Sequence, residues 1–131
     1  MRKILFRGKP KAGYNYGKDW LYGSLLQIDD SNYGIIELSD VSCDENGYVD
    51  YSHTPVQLES ISQFTGSYDQ KEKDCFHKDI VQYGQNIGIV EWDDTAHSWC
   101  IYIPKRDVHS QLIDGEYEII GNIHDNPELL T

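Results

Sequence analysis

Asp79-Ile80-Val81-Gln82-Tyr83, Asn86-Ile87-Gly88-Ile89-Val90-Glu91-Trp92 and Ser98-Trp99-Cys100-Ile101-Tyr102-Ile103 follow one another with only short breaks between them. Each is brief and rich in β-branched and aromatic side chains, which suit a pleated, half-buried surface. Gly84 and the pair Asp93-Asp94 supply the turns. Pro104 ends the last run, because proline cannot donate to a strand ladder. The stretch therefore reads as three consecutive strands, and it sets the expectation for the rest of the chain.

The same grammar extends in both directions. Upstream, Ile4-Leu5-Phe6-Arg7 reads as a first short strand, and Gly8 to Gly13 breaks regularity. Trp20 to Ile28 and Tyr33 to Leu38 flank the turn signal Asp29-Asp30-Ser31-Asn32 and pair as a hairpin. Asp44-Glu45-Asn46-Gly47 contains Asn-Gly, a strong hairpin signal, ahead of Tyr48-Val49-Asp50-Tyr51. Val56 to Phe64 alternates well enough to predict another strand. Ser67 to Asp74 is polar apart from Tyr68 and predicts an exposed loop. Downstream, Glu116 to Ile123 predicts a strand, and Asn126 to Thr131 a tail or one helical turn.

Composition supports this reading. Ten Tyr, three Trp and three Phe favour sheets, while Ala12 and Ala96 are the only alanines. No segment sustains helical periodicity, and no linker divides the chain. A length of 131 residues suits a single domain, 1–131. The expected fold is mainly β with little helix.

The net charge of −11 is unevenly distributed. Arg2, Lys3, Arg7, Lys9, Lys11 and Lys18 face only Asp19 within residues 1–20, a sum of +5. The remaining residues hold five bases and 21 acids, a sum of −16. Such a body repels nucleic-acid phosphates and anionic membrane surfaces, and it attracts basic partners. The apolar run Ile4-Leu5-Phe6 is too short for the h-region of a secretory signal, and no run approaches a membrane span. The expected location is the cytoplasm of the cell that makes it. There, Cys43, Cys75 and Cys100, an odd set without metal spacing, are expected as reduced, packed thiols.

Several motifs in fixed order resemble the YopX family of phage and prophage proteins. They are Ile4-Leu5-Phe6-Arg7-Gly8-Lys9 with Trp20-Leu21-Tyr22-Gly23-Ser24-Leu25, then Ser62-Gln63-Phe64-Thr65-Gly66 with Asp79-Ile80-Val81. Val90-Glu91-Trp92-Asp93 with Trp99 follows, and Ile119 to Leu130 completes the set. The resemblance implies a small SH3-like barrel with additional N-terminal β-strands, and a gene carried by a phage or prophage. It implies no activity and transfers no catalytic residue. His77-Lys78 replaces the family's acid-glycine pair, and Asp69 to Asp74 lacks the family's glycine turn, which implies a loop of different shape.

The matched residues are mostly architectural. Trp20, Phe64, Trp92 and Trp99 are expected in the core, and Gly23, Gly66 and Gly121 at bulges, turns or close strand approaches. Gln63 and Asn122 are expected to tie loops to strands, and Asp79 to bind backbone N–H groups at a turn. The functional counter-reading is an aromatic groove for peptides lined by Tyr14, Tyr16, Trp20 and Tyr22. His53, His77, His97, His109 and His124 have no metal-site spacing. Cys75 with His77 would supply only two ligands, and Cys100 has no local base. Asp29-Asp30 and Asp93-Asp94 sit at turns, where solvated acids are ordinary.

No cofactor, no metal and no catalytic residue is called for. The leading expectation is a non-enzymatic accessory protein that binds an unidentified host or phage protein or assembles as a homo-oligomer, away from membranes and nucleic acid. Two alternatives stand beside it. One is an acidic decoy for a nucleic-acid-binding protein. The other is a small hydrolase, which would need two ionisable groups converging in a pocket.

Overall fold

The computed structural model describes residues 2–131. Among these residues the chain is mainly β, and its only helical pieces are short 3₁₀ turns. It forms two compact units, one ending at Gln63 and one running from Phe64 to Thr131.

The first unit is built from β1 (Phe6–Gly8), β2 (Leu21–Gln27), β3 (Tyr33–Ile36), β4 (Val41–Cys43), β5 (Val49–Tyr51) and β6 (Thr54–Val56). Strand β7 (Ser62–Tyr68) starts within it. Four strands lie in the order β6-β3-β2-β1, all antiparallel, and Ser62 and Gln63 pair on the far side of β1. Leu21, Ile35 and Val56 form the buried centre, with Phe6, Leu25, Tyr33 and Ile61 packed around it. Each such aliphatic side chain contributes roughly 1.5–3 kcal/mol by leaving water. β4 and β5 pair only with each other, as a separate two-stranded ribbon.

The second unit holds the remainder of β7 with β8 (Asp74–Phe76), β9 (Asp79–Tyr83), β10 (Asn86–Asp93), β11 (Ser98–Ile103), β12 (Val108–Gln111) and β13 (Glu118–Asn122). Five strands run in the order β12-β11-β10-β9-β13. The three strands that opened the sequence reading, β9 to β11, are its centre. Their inward side chains Val81, Val90, Ile101 and Ile103 pack with Cys75 and Tyr117.

The predicted glycine roles hold. A Cβ on Gly23 would lie 2.1 Å from the Ile36 carbonyl oxygen, so only glycine permits the close β2–β3 approach. Gly121 sits at a register shift between β9 and β13, and Gly66 has φ +88° at an irregularity of the β7–β8 pairing. Asp79 accepts the Phe76 N–H at 2.8 Å, and Asn122 Oδ1 accepts the N–H groups of His124 and Asp125.

Four expectations need correction. The predicted strand from Val56 to Phe64 is interrupted by a 3₁₀ turn at Leu58–Ser60. The Ser60 hydroxyl donates to the Gln57 carbonyl and accepts the Lys9 N–H, each at 2.7 Å, which favours the turn. The predicted exposed loop from Ser67 is instead strand β7 as far as Tyr68, and Asp69 is fully buried. Polarity misled there because the polar groups bond internally: Thr65 to the Cys75 carbonyl, Ser67 to the Tyr117 hydroxyl. Gln63 and Trp92 are exposed, not core or buried ties. Trp92 meets Trp99 edge-on at 5.2 Å, and Trp99 meets His77 at 5.4 Å. Finally, Cys75 and Cys100 are packed thiols, but Cys43 is exposed.

Four hairpin turns use one device. Asp29 Oδ1 accepts the N–H groups of Ser31 and Asn32, and Asp93 Oδ1 those of Thr95 and Ala96. Asp44 Oδ1 takes Asn46 and Tyr48, and Asp69 Oδ1 takes Lys71 and Lys73. The last two turns are twins. In each, the aspartate also exchanges backbone bonds with the fourth and fifth residues, and the fourth is left-handed: Gly47 at φ +85°, Glu72 at +63°. The glycine-free loop thus keeps the glycine-turn geometry and strains one glutamate to do so.

Candidate functional site

The segment between β1 and β2 is held by two tight turns, in which Tyr14 N–H bonds to the Lys11 carbonyl and Lys18 N–H to that of Asn15. These turns place Tyr14 and Tyr16 on the rim of an open pocket of about 340 Å³. Lys18, Glu37, Asp40 and His53 also line it. Tyr16 is 81% exposed and left-handed at φ +44°.

Trp20 and Tyr22 do not join that pocket. They flank Leu21, the first residue of β2, and alternation sends Leu21 into the core and its neighbours to the opposite face. Tyr22 stands opposite Arg7 in the register. The Arg7 guanidinium lies 4.7 Å from the Trp20 ring centroid and the Lys9 ammonium 5.1 Å, so two cations cover that indole. Of the four aromatic candidates, the fold brings two together.

The pocket does gather ionisable groups. Lys18 Nζ donates to Glu37 Oε1 at 2.9 Å, and this bond with its attendant charge raises the Lys18 pKa. The pair satisfies itself across the pocket wall and leaves neither partner as an obvious acid or base. Among the described residues, no group of three His, Cys, Asp or Glu is placed to hold a metal. Among the same residues, no helix is long and apolar enough to cross a membrane.

The β4–β5 ribbon rises from this pocket. Asp40 and Ser52 line the pocket and close the base of the ribbon through Ser52 N–H to the Asp40 carbonyl, 3.2 Å. Every residue of both strands is exposed. The register pairs Val41 with Tyr51 and Cys43 with Val49 on one face, and Ser42 with Asp50 on the other. The ribbon is therefore amphipathic, with its apolar face in solvent: Val49 is 62% exposed and Tyr51 53%. A two-stranded hairpin is marginally stable alone. The Asp44 carboxylate and the backbone bond from Asp44 N–H to the Tyr48 carbonyl hold this one at its tip. The sequence reading found the turn but not the site. The available signal was Val-Ser-Cys and Val-Asp-Tyr alternating on both sides of Asn-Gly.

These features define an all-β protein with an outward ribbon beside a polar pocket. The chain belongs to the YopX family, whose model, described as YopX protein, matches residues 6–131. No curated protein matches the chain.

Proposed function

We propose that this YopX-family chain is a phage- or prophage-encoded accessory protein that acts by binding another protein in the cytoplasm of its host, and not by catalysis. One observation carries the reading. The β4–β5 ribbon offers an exposed apolar face and a free β5 edge. Folding does not need that face to be apolar, whereas association does. The exposed Tyr14 and Tyr16 line the pocket at the ribbon's base, together with Asp40 and Ser52.

The test is affinity capture of the tagged chain from host cells, in parallel with the variant V49D/Y51D. Both positions are exposed, so the variant should fold. A dominant protein held by the natural chain and lost from the variant supports the reading. Equal recovery from both, or recovery of bait alone, overturns it. The charge of −16 on residues 21–131 favours a second reading, an acidic decoy. A partner released by moderate salt, and displaced by DNA, would favour that form, because electrostatic capture is screened by salt.

A further inference from the structure

Resting on the binding reading above, we propose that the ribbon receives its partner as a third strand: an extended basic segment of another protein, laid along the free edge of β5. The ladder identifies the edge. Backbone bonds at Asp44/Tyr48 and Asp40/Ser52 mark two hydrogen-bonded pairs. Antiparallel alternation makes Ser42/Asp50 the next such pair, and Val41/Tyr51 and Cys43/Val49 non-hydrogen-bonded ones. The N–H and C=O groups of Val49 and Tyr51 consequently point away from β4. On the opposite edge the Val41 N–H is already given to the Leu38 carbonyl. The β5 edge carries no lysine, proline or bulge of the kind that blunts exposed strands.

The side chains say what fits. A strand added beside β5 continues the apolar face of Val41, Cys43, Val49 and Tyr51 with its own alternate residues. Its intervening residues fall beside Asp50, on the polar face. Residues 41–51 carry Asp44, Glu45 and Asp50 without a base, and residues 21–63 contain no Lys or Arg. Neither Glu45 nor Asp50 has an ion-pair partner among the described residues. Lysine or arginine at the intervening positions complements this charge. The ribbon of a second copy would set acid against acid, so the occupant is a different, basic chain.

The probe is a fluorescent peptide of about ten residues in which lysine and valine alternate, titrated with the full-length chain and read by anisotropy. Saturable binding is expected, and a peptide of the same composition in two blocks should bind at least about ten-fold more weakly. N-methylation of the backbone at alternate peptide residues, in each of the two phases, should cost at least about ten-fold in one phase only, since one peptide edge faces β5. In the protein, V49P removes an outward N–H while leaving the ribbon's own bonds, and should also weaken binding by about ten-fold or more. Should V49P fail to fold by circular dichroism, the methylated peptides decide alone. Equal affinity for alternating and blocked peptides, indifference to N-methylation, or no binding overturns the strand-addition proposal. So does a dimer by sedimentation that V49P dissociates, because the edge is then occupied by a second copy. A host protein captured through Val49 and Tyr51 but indifferent to V49P leaves the binding reading standing and removes strand addition. Capture of nothing removes the binding reading itself.

Discussion

Replacing Asp69 by Asn tests how the second unit is held together. Asp69 is 0% exposed, yet its hydrogen bonds favour the ionised form. Burial pushes its carboxyl pKa up, but N–H bonds from Ile119, Lys73 and Lys71 outweigh that and leave it below the ordinary value. Oδ1 takes Lys71 and Lys73 at 2.9 Å each, and Oδ2 takes Ile119 of β13 at 3.0 Å. Asparagine can keep its oxygen on the two turn donors, but its NH₂ then faces the Ile119 N–H, donor against donor. A bond to a charged acceptor is worth about 1.5–3 kcal/mol, and water can replace part of the loss at the exposed Lys71 and Lys73, so D69N should cost about 2–3 kcal/mol. With a urea m-value near 2 kcal/mol/M, the midpoint should fall by about 1–1.5 M at pH 7. The sign with pH follows from the lowered pKa. The contribution is complete above the unfolded carboxyl value of about 3.9 and is lost as pH falls through the folded value below it. D69N has no such proton to bind, so the gap between the two proteins should be constant from pH 7 to 5 and shrink below about pH 4. Urea unfolding followed by tryptophan fluorescence at several pH values measures it. Equal midpoints at pH 7, or a gap that persists undiminished at pH 3, would refute the assignment of Asp69 as an ionised staple.

Glu72 occupies the left-handed position that Gly47 fills in the twin turn, so E72G should stabilise the chain by roughly 0.5–1 kcal/mol, read as a raised urea midpoint. Unchanged or lowered stability would mean the turn is not strained. G23A places a Cβ against the Ile36 carbonyl and should cost at least about 3 kcal/mol or abolish folding of the first unit; a soluble, native-like G23A with an unchanged midpoint would contradict the β2–β3 packing. A thiol reagent at neutral pH should modify Cys43 promptly and Cys75 and Cys100 only on unfolding. Burial, with Asp93 and Glu91 nearby, raises the Cys100 pKa, which further slows it. Two or three fast thiols in the native protein would show the core to be open.

The strands that were legible in the sequence are those whose pattern is set by burial on one face. β9, β10 and β11 fall where β-branched runs meet Gly or Asp turns, and β2 with β3 surrounds its Asp29 turn. The misread loop from Ser67 has a definite cause. Thr65, Ser67 and Asp69 are buried polar residues whose partners lie at Cys75, Tyr117 and Ile119, remote in sequence. Hydropathy counts them as surface, because it cannot see the bond that replaces water. β12, Val-His-Ser-Gln, has a single apolar residue and exists because β11 offers it a ladder. At the candidate site the four aromatics chosen from the sequence fall into two separate pairs. Alternation along β2 separates Trp20 and Tyr22 from the pocket that Tyr14 and Tyr16 line.

The acidity itself divides once the bonds are known. Asp29, Asp44, Asp69, Asp79 and Asp93 are spent on backbone N–H groups at turns, a role that a neutral asparagine or serine fills less strongly. Five of the 22 acids are thus a by-product of building tight turns. Among the described residues Glu45 and Asp50 do no such bonding, and they sit on the ribbon that carries the exposed apolar face. A decoy would need charge spread over a wide surface, indifferent to which acids supply it. A strand-accepting edge needs only these few, in register. Neutralising Glu45 and Asp50 together should therefore weaken capture of a basic segment by at least about ten-fold, while neutralising two exposed acids of the second unit, such as Asp94 and Asp114, should leave it within about two-fold. If both pairs weaken binding equally, net charge and not the ribbon selects the partner.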